Sequence, residues 1–292
     1  DARSTIPTAP VMHEKRTAMG QFDKRQVGNA TMIALQDSWA ALPPSAFFGA
    51  VEESAWEPYR DLLDGDGNII LNLGAWLVIS GGRTVLIDTG IGGRPVQMPM
   101  REPAELPTVM QAAGVAPGDV DIVVFSHLHF DHTGWNTVDE GGTAVPLFPN
   151  ARHLVQQVEW DHWTGSETER KSARYDDSLA PLEQAGLIDF VEGEHEVTSE
   201  LVAIPTPGHT PGHMSFVLQS DGERTYFLGD AAHHPVQLTQ PTWSPNADID
   251  PVQSAESRAA LFERIEGENA LIASGHFEYP GLGHAVRDGE NL

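Results

Sequence analysis

The chain has 292 residues and 31.7 kDa, 40% apolar and 20% charged, enough for a sizeable core in one large domain or two small ones. Seventeen basic residues against 42 acidic ones leave a formal charge of -25, which opposes binding to nucleic acid or anionic membrane. No apolar run reaches the length of about eighteen residues that spans a bilayer, and with no cysteine there is no disulfide, thiolate ligand or cysteine nucleophile, nor a redox clue to compartment.

The chain opens at Asp1 without an initiator Met, and residues 1–20 are polar with two prolines. They read as a trimmed or processed terminus, disordered or draped on the surface. Residues 26–36 alternate weakly and read as a first strand. Pro43-Pro44 and Phe47-Phe48 then break the pattern; the paired phenylalanines are either ordinary packing or an apolar rim over a substrate pocket. Residues 64–68, Asp-Gly-Asp-Gly-Asn, form a turn without the later ligands a calcium loop needs. Residues 69–80 and 83–87 make a hairpin around Gly81-Gly82 that ends in Asp88-Thr89-Gly90. An Asp at that junction can accept a ring N–H from a metal-bound histidine, or be a simple turn residue. Residues 106–113 read as a helix, with Pro107 in its first turn and Gly114 as its stop.

Next comes Ser126-His-Leu-His-Phe-Asp-His-Thr-Gly-Trp135. His127, His129, Asp131 and His132 fall within six positions, far denser than thirteen histidines scattered over the chain. The preceding β-branched run 121–125 is a buried strand, so the period of two places His127, His129 and Asp131 on one side of its end. Gly134 permits a turn that swings Asp131 and His132 toward a second point. Imidazole and carboxylate together suit zinc and its borderline neighbours, and two ligand subsets suggest two ions.

Residues 139–174 are irregular, and Trp160, His162 and Trp163 there suggest a lid or rim, with surface packing as the alternative. A helix over 177–185 and strands over 188–191 and 201–205 follow, then the turn Thr206-Pro-Gly-His209-Thr-Pro-Gly-His213. Strands over 215–219 and 224–228 lead to Gly229-Asp230. A helix over 255–265 and a strand over 270–273 lead to Gly275-His276. Asp88, the His127 cluster, His209, Asp230 and His276 thus share one arrangement: an apolar strand, a glycine turn, and a ligand-type residue between them. Five such junctions argue for strand ends converging on one site. No repeat or linker stands out, which favours one domain.

This pattern resembles the metallo-β-lactamase superfamily, in its binuclear hydrolase branch, through D-T-G at Asp88, H-L-H-F-D-H at His127, G-H-T-P-G-H at His209, G-D at Asp230 and G-H at His276. The resemblance implies an α/β fold, an αβ/βα four-layer sandwich over residues 26–292 after an arm of residues 1–25. It implies two divalent ions, zinc first, with Mn, Fe or Co as alternatives. His127, His129 and His209 would hold one, Asp131, His132 and His276 the other, and Asp230 would bridge. Asp88 would brace a ligand histidine, and His213 would be a structural partner of its turn. Two cations sharing a water give a bridging hydroxide near neutral pH, with Asp131 as proton shuttle.

The absence of cysteine disfavours a zinc β-lactamase, the negative charge a ribonuclease, and the sixteen residues after His276 a glyoxalase II-type thioesterase. Small ester-like substrates remain. The segments 229–237, 241–243 and 277–284 resemble the lactonase and methyl parathion hydrolase-like group, which implies a lactonase of the acyl-homoserine-lactone type, or alternatively an organophosphate triester hydrolase or aryl esterase. Where such lactonases carry a tyrosine three residues after the bridging aspartate, this chain has His233, a candidate hydrogen-bond donor to the substrate carbonyl. Phe47, Phe48, Trp160, His234 and Trp243 are candidate pocket residues. A non-catalytic binding module on the same fold would require a broken ligand set, and this one is intact. The expected partner is a small molecule, without nucleic acid or membrane; a homodimer is allowed, and periplasmic, secreted and cytoplasmic locations are not distinguished.

Overall fold

The computed structural model describes residues 21–286, so the expectation for residues 1–20 lies outside the described part. Where one strand was expected over 26–36, β1 (Phe22–Val27) and β2 (Ala30–Leu42) form an antiparallel hairpin. It reverses at Gly28-Asn29: Gly28 has φ +55, and a Cβ there would sit 2.2 Å from the Ser220 carbonyl oxygen, so a side chain is excluded from this two-residue turn. The sheet therefore begins at Phe22, inside the stretch expected to be arm.

β2 pairs antiparallel with β3 (Ile69–Ser80), and β3 with β4 (Arg83–Ile87), the hairpin expected from the Gly81-Gly82 turn. β4 runs parallel to β5 (Ile122–Val124). A separate hairpin of β6 (Thr137–Glu140) and β7 (Thr143–Pro146) precedes β8 (Arg152–Gln156) and β9 (Ile188–Val191). The first sheet has seven strands in the order β1-β2-β3-β4-β5-β8-β9. β10 (His195–Glu196), β11 (Leu201–Pro205), β12 (Met214–Ser220), β13 (Glu223–Phe227), β14 (Leu271–Ala273) and β15 (Leu282–His284) lie side by side in a second, six-stranded sheet.

Among the helices, α1 (Pro44–Phe47) is a single turn after β2. α2 (Leu106–Ala112), α3 (Gln157–Thr164), α4 (Glu167–Ser172) and α5 (Ala180–Gln184) belong to the half built on the first sheet. α6 (Val236–Thr239) and α7 (Pro251–Gly267) follow β13; the Asp250 side chain caps α7 by accepting from the Val252 and Gln253 amides.

Alternation along the strands sorts the layers. On β2, Ile33 and Leu35 pack with Leu106, Val109 and Met110 of α2 and with Trp160 and Trp163 of α3, whereas Met32 and Ala34 join Phe216 and Leu218 of β12. On β12, the intervening Val217 packs with Phe262 and Ile265 of α7. Strands apolar on both faces need a cover on each, and the result is the expected helix–sheet–sheet–helix sandwich. Residues 139–174, expected to be irregular, instead supply β6 to β8 and helices α3 and α4. Trp160 and Trp163 stand three apart on α3, so both face the core rather than forming a lid.

Candidate metal centre

Asp88 follows β4 and Ser126-His127 follows β5, and because these strands run parallel their ends meet. Asp88 has φ +60, a left-handed state that aspartate tolerates better than most residues. Its Oδ1 accepts the Ser126 amide at 2.7 Å, and its Oδ2 accepts the Ser126 hydroxyl at 2.7 Å and His132 Nδ1–H at 2.9 Å. Between the first two histidines, Leu128 is buried in the helix-side core, so His127 and His129 share the opposite direction. The turn that follows is pinned to the Asp88 loop: the Thr89 amide donates to the His132 carbonyl at 2.7 Å and the Gly134 amide to the Gly90 carbonyl at 2.8 Å. A Cβ on Gly134 would lie 2.1 Å from the Ile91 carbonyl carbon, so this approach needs glycine.

His209 arrives from the turn after β11, Asp230 from the end of β13 and His276 from the end of β14. His127 Nε2 and His209 Nε2 lie 2.9 and 3.0 Å from His129 Nδ1, and 3.6 and 3.2 Å from Asp230 Oδ2. His132 Nε2 and His276 Nε2 lie 3.2 Å apart, and 3.2 and 3.0 Å from Asp230 Oδ1. Asp131 Oδ2 stands 3.9 and 3.8 Å from the same two nitrogens. One carboxylate therefore presents each of its oxygens to a different set of ligand-type atoms.

The outer nitrogens fix what faces inward. His209 Nδ1–H donates to Asp248 Oδ1 at 2.8 Å, His276 Nδ1–H to the Asn72 carbonyl at 2.8 Å, and His132 Nδ1–H to Asp88. His127 Nδ1–H reaches the Ser126 hydroxyl at 3.0 Å, which has spent its own hydrogen on Asp88. In the neutral rings each Nε2 then carries a lone pair toward the centre. With both rings neutral, lone pair faces lone pair across 3.2 Å between His132 and His276, and the buried Asp230 Oδ1 beside them has no hydrogen-bond donor among the described residues. Converging buried acceptors without donors fit a pair of divalent cations.

The electrostatics divide the imidazoles into two kinds. Burial opposes charge on His132, yet Asp230, Asp88 and Asp131 raise it well above the ordinary histidine range; Asp230 and Asp248 likewise overcome burial at His209 and raise it to about 9. Burial, reinforced by neighbouring histidines, holds His127 and His129 well below that range. Burial disfavours the Asp230 charge, but the surrounding histidines keep it ionised. The site attracts positive charge without letting every imidazole take a proton.

His213 turns away from this cluster: its Nε2 accepts the Asp230 amide at 2.8 Å and its Nδ1–H faces the Thr206 carbonyl at 3.1 Å. Burial presses it down to about 3, so it stays neutral and shapes the Asp230 turn. His233 sits at the centre, with Nε2 3.0 Å from Asp230 Oδ2, its ring stacked on His276 at 5.2 Å and edge-on to Phe47 at 5.3 Å. Burial lowers it to about 4. Asp230, His233 and His276 also form a third group with metal-ligand spacing.

A cavity of about 170 Å³ opens over these groups, walled by Phe47, Leu71, Met98, Phe130 and Ala247. Of the other candidate pocket residues, none lines it. Phe48 is buried against Trp56, and Trp243 packs on Trp56 and Tyr59. Trp160 packs on Tyr175 and Phe190, where the helix face carries it. His234 points oppositely to His233, with Nε2 3.2 Å from the Leu62 carbonyl and its ring against Trp56. The Gln237 side-chain carbonyl holds both histidine amides, at 2.7 and 3.2 Å.

Several supporting groups carry no signal in the sequence. Asp248 is one. Buried Asp37, on β2, is another: it accepts the Ile91, Gly92 and Leu106 amides and the Trp135 indole N–H. The third is Glu159 on α3, which reaches the loops of His127 and His209.

The metallo-beta-lactamase superfamily model matches residues 75–276. The chain is 30% identical to N-acyl homoserine lactonase AttM of Azorhizobium caulinodans over 219 residues, 68% of this chain and 76% of that one. It is 27% identical to N-acyl homoserine lactonase AiiA of Bacillus thuringiensis subsp. kurstaki over 225 residues, 71% of this chain and 82% of that one. Among solved structures, hydrolase AbOPH of the beta lactamase superfamily is similar with a TM-score of 0.79 and 26% identity, covering 94% of this chain and 97% of that one. The dizinc quorum-quenching lactonase AidC, in complex with a product, has a TM-score of 0.78 at 22% identity, covering 92% and 95%. The matched stretch takes in every strand end that brings a histidine or aspartate to the centre, and the chain belongs to the metallo-β-lactamase superfamily.

Proposed function

We propose that the protein is a binuclear metal-dependent hydrolase acting on small esters, and specifically a lactonase of the acyl-homoserine-lactone type. The observation that carries the binuclear reading is the Asp230 carboxylate, whose two oxygens face two separate sets of lone pairs. His127, His129 and His209 would hold one divalent ion, zinc by the character of its donors, and Asp131, His132 and His276 the other. When bound, such a pair supplies Lewis acidity at an ester carbonyl and an acidified water as nucleophile.

The chain's own groups do the rest. The apolar walls Phe47, Leu71, Met98 and Phe130 receive an uncharged acyl group and exclude water. Asp131 lines the cavity and carries a proton to the departing alkoxide oxygen. His233, held neutral by burial, donates Nε2–H to Asp230 and steadies the bridging carboxylate. Its Nδ1 is buried and has no partner among the described residues; in this tautomer it carries a lone pair, so it does not donate to a substrate carbonyl as a tyrosine would. The lactone preference is supported by the lactonases to which the chain is similar.

Metal content and initial rates on an acyl-homoserine lactone, methyl paraoxon and an aryl ester test the reading together. The expected result is two metals per chain, a lactone rate far above the others, and a loss of more than about a thousandfold, some 4 kcal/mol of barrier, in Asp230→Ala. Preference for the triester would move the protein to the organophosphate reading. A chain that binds no metal and turns over none of the three would end the binuclear one.

A further inference from the structure

We propose that Arg258 is a positioning residue for the metal centre: through Asp248 it sets the ring of His209, and through three backbone carbonyls it fixes the segment carrying His233. The inference rests on the reading of His209 as a ligand.

Arg258, on α7, is the largest fully buried side chain among the described residues. A buried guanidinium is costly and does not neutralise by losing its proton, so its donors need acceptors. Nε donates to the Ala231 carbonyl at 2.6 Å. One terminal nitrogen donates to the Pro241 carbonyl and, at 3.3 Å, to the Trp243 carbonyl. The other donates to the Ser254 hydroxyl at 2.9 Å and to Asp248 Oδ2 at 3.4 Å. Asp248 Oδ1, in turn, accepts His209 Nδ1–H at 2.8 Å. The side chains of both Asp248 and Arg258 are wholly shielded from solvent.

Two consequences follow from this geometry. First, the guanidinium, the carboxylate and the imidazole form a line that ends at the inward Nε2 of His209, so a shift of Arg258 re-aims a ligand it does not touch. A carboxylate bonded at both ends has one orientation; released at one end it can rotate, and the ring follows. Second, residues 232–248, which follow a 3-10 turn over Gly229–Ala231, contain a single helical turn, α6, and no strand. The carbonyls of Ala231, Pro241 and Trp243 tie this irregular segment to the Arg258 side chain, beside the Ser244 hydroxyl, which donates to the Pro251 carbonyl at the start of α7. His233 and the cavity-wall residue Ala247 lie on that same segment.

A packing role and a positioning role predict different measurements. Zinc dissociation constants from competition with a chromophoric chelator would be compared for wild type, Asp248→Asn, Arg258→Lys and Arg258→Met, beside thermal unfolding with and without zinc. Asp248→Asn and Arg258→Met are expected to weaken one of the two zinc ions by about 10- to 100-fold and to leave the other within about twofold. Arg258→Lys, which can pair with Asp248 but cannot span three carbonyls, should fall between. If both zinc constants stay within about twofold of wild type while the Tm falls equally with and without zinc, Arg258 only packs and the proposal is overturned. Should Arg258→Met not fold, Asp248→Asn decides alone, because it keeps the volume and an acceptor for His209. A wild-type chain that binds no zinc refutes the metal reading itself, an outcome distinct from unchanged constants in the variants.

Discussion

His153, on β8, is fully buried beside Phe125; among the described residues neither ring nitrogen finds a hydrogen-bond partner of ordinary geometry, although the Ala151 and Leu187 carbonyls lie near enough to favour the charged form slightly. Burial dominates and lowers its pKa to about 4. In the unfolded chain the same ring takes a proton at about 6.5. Between those two values the unfolded state binds more protons, so stability is fully present above about 6.5 and falls as the pH drops toward about 4. At pH 5 the cost is about 2 kcal/mol. His153→Leu, of similar volume and untitratable, should match wild type near pH 7.5 and retain a Tm several degrees higher at pH 5. Parallel Tm–pH curves for the two proteins would show that His153 does not carry this sensitivity. At the same scale, His127 to His276 could be picked out of the sequence because each stands between an apolar strand and a glycine turn. Asp248 could not, since it lies 39 residues from His209 in an irregular stretch. Nor did the sequence separate His233 from His234; only the backbone direction sends one into the cavity and the other toward Leu62.

Helix α3 acts on the centre as an element. Its Glu159 accepts the Leu128 amide at 2.9 Å, the Gly212 amide at 3.0 Å and the Trp163 indole N–H at 2.6 Å, tying the loop of His127 and His129 to the turn of His209. Gly212 is required at that seam, because a Cβ there would lie 2.4 Å from the Glu159 amide nitrogen. Glu159→Ala strands three buried donors, each worth about 1–3 kcal/mol. A Tm loss of at least about 6 °C follows at about 2–4 °C per kcal/mol. Glu159→Gln, which keeps one acceptor oxygen, should lose less, and the alanine variant should also hold less zinc after dialysis. An alanine variant melting within about 2 °C of wild type would sink the clamp. Elements with strong patterns, such as the β3–β4 hairpin and α7, were legible in advance. α3 was not, because its polar and aromatic residues mask the spacing of Trp160 and Trp163, and β1 was not, because the Gly28-Asn29 reversal falls inside one weakly alternating run.

For the whole molecule, the net charge of -25 sets a field that no single residue reveals. Like charges at this density repel one another in the compact state and relax on unfolding, and salt screens them over about 10 Å at 0.1 M. The metal-loaded protein should therefore gain thermal stability as NaCl rises. The same field sorts substrates. A neutral lactone approaches without feeling it, while a substrate bearing a carboxylate, such as a β-lactam, is held off at low salt. If the acyl-homoserine-lactone reading is right, kcat/KM for the lactone should stay flat from about 0.02 to 0.5 M NaCl, whereas any turnover of an anionic ester should rise as its repulsion is screened. Steady-state rates on matched neutral and anionic esters at three salt concentrations make the comparison. A lactone kcat/KM that changes steeply with salt would sink this account, because an uncharged substrate has no long-range attraction or repulsion to screen; a positively charged ester turned over faster than the lactone, with a rate that falls as salt rises, would move the search to cationic esters.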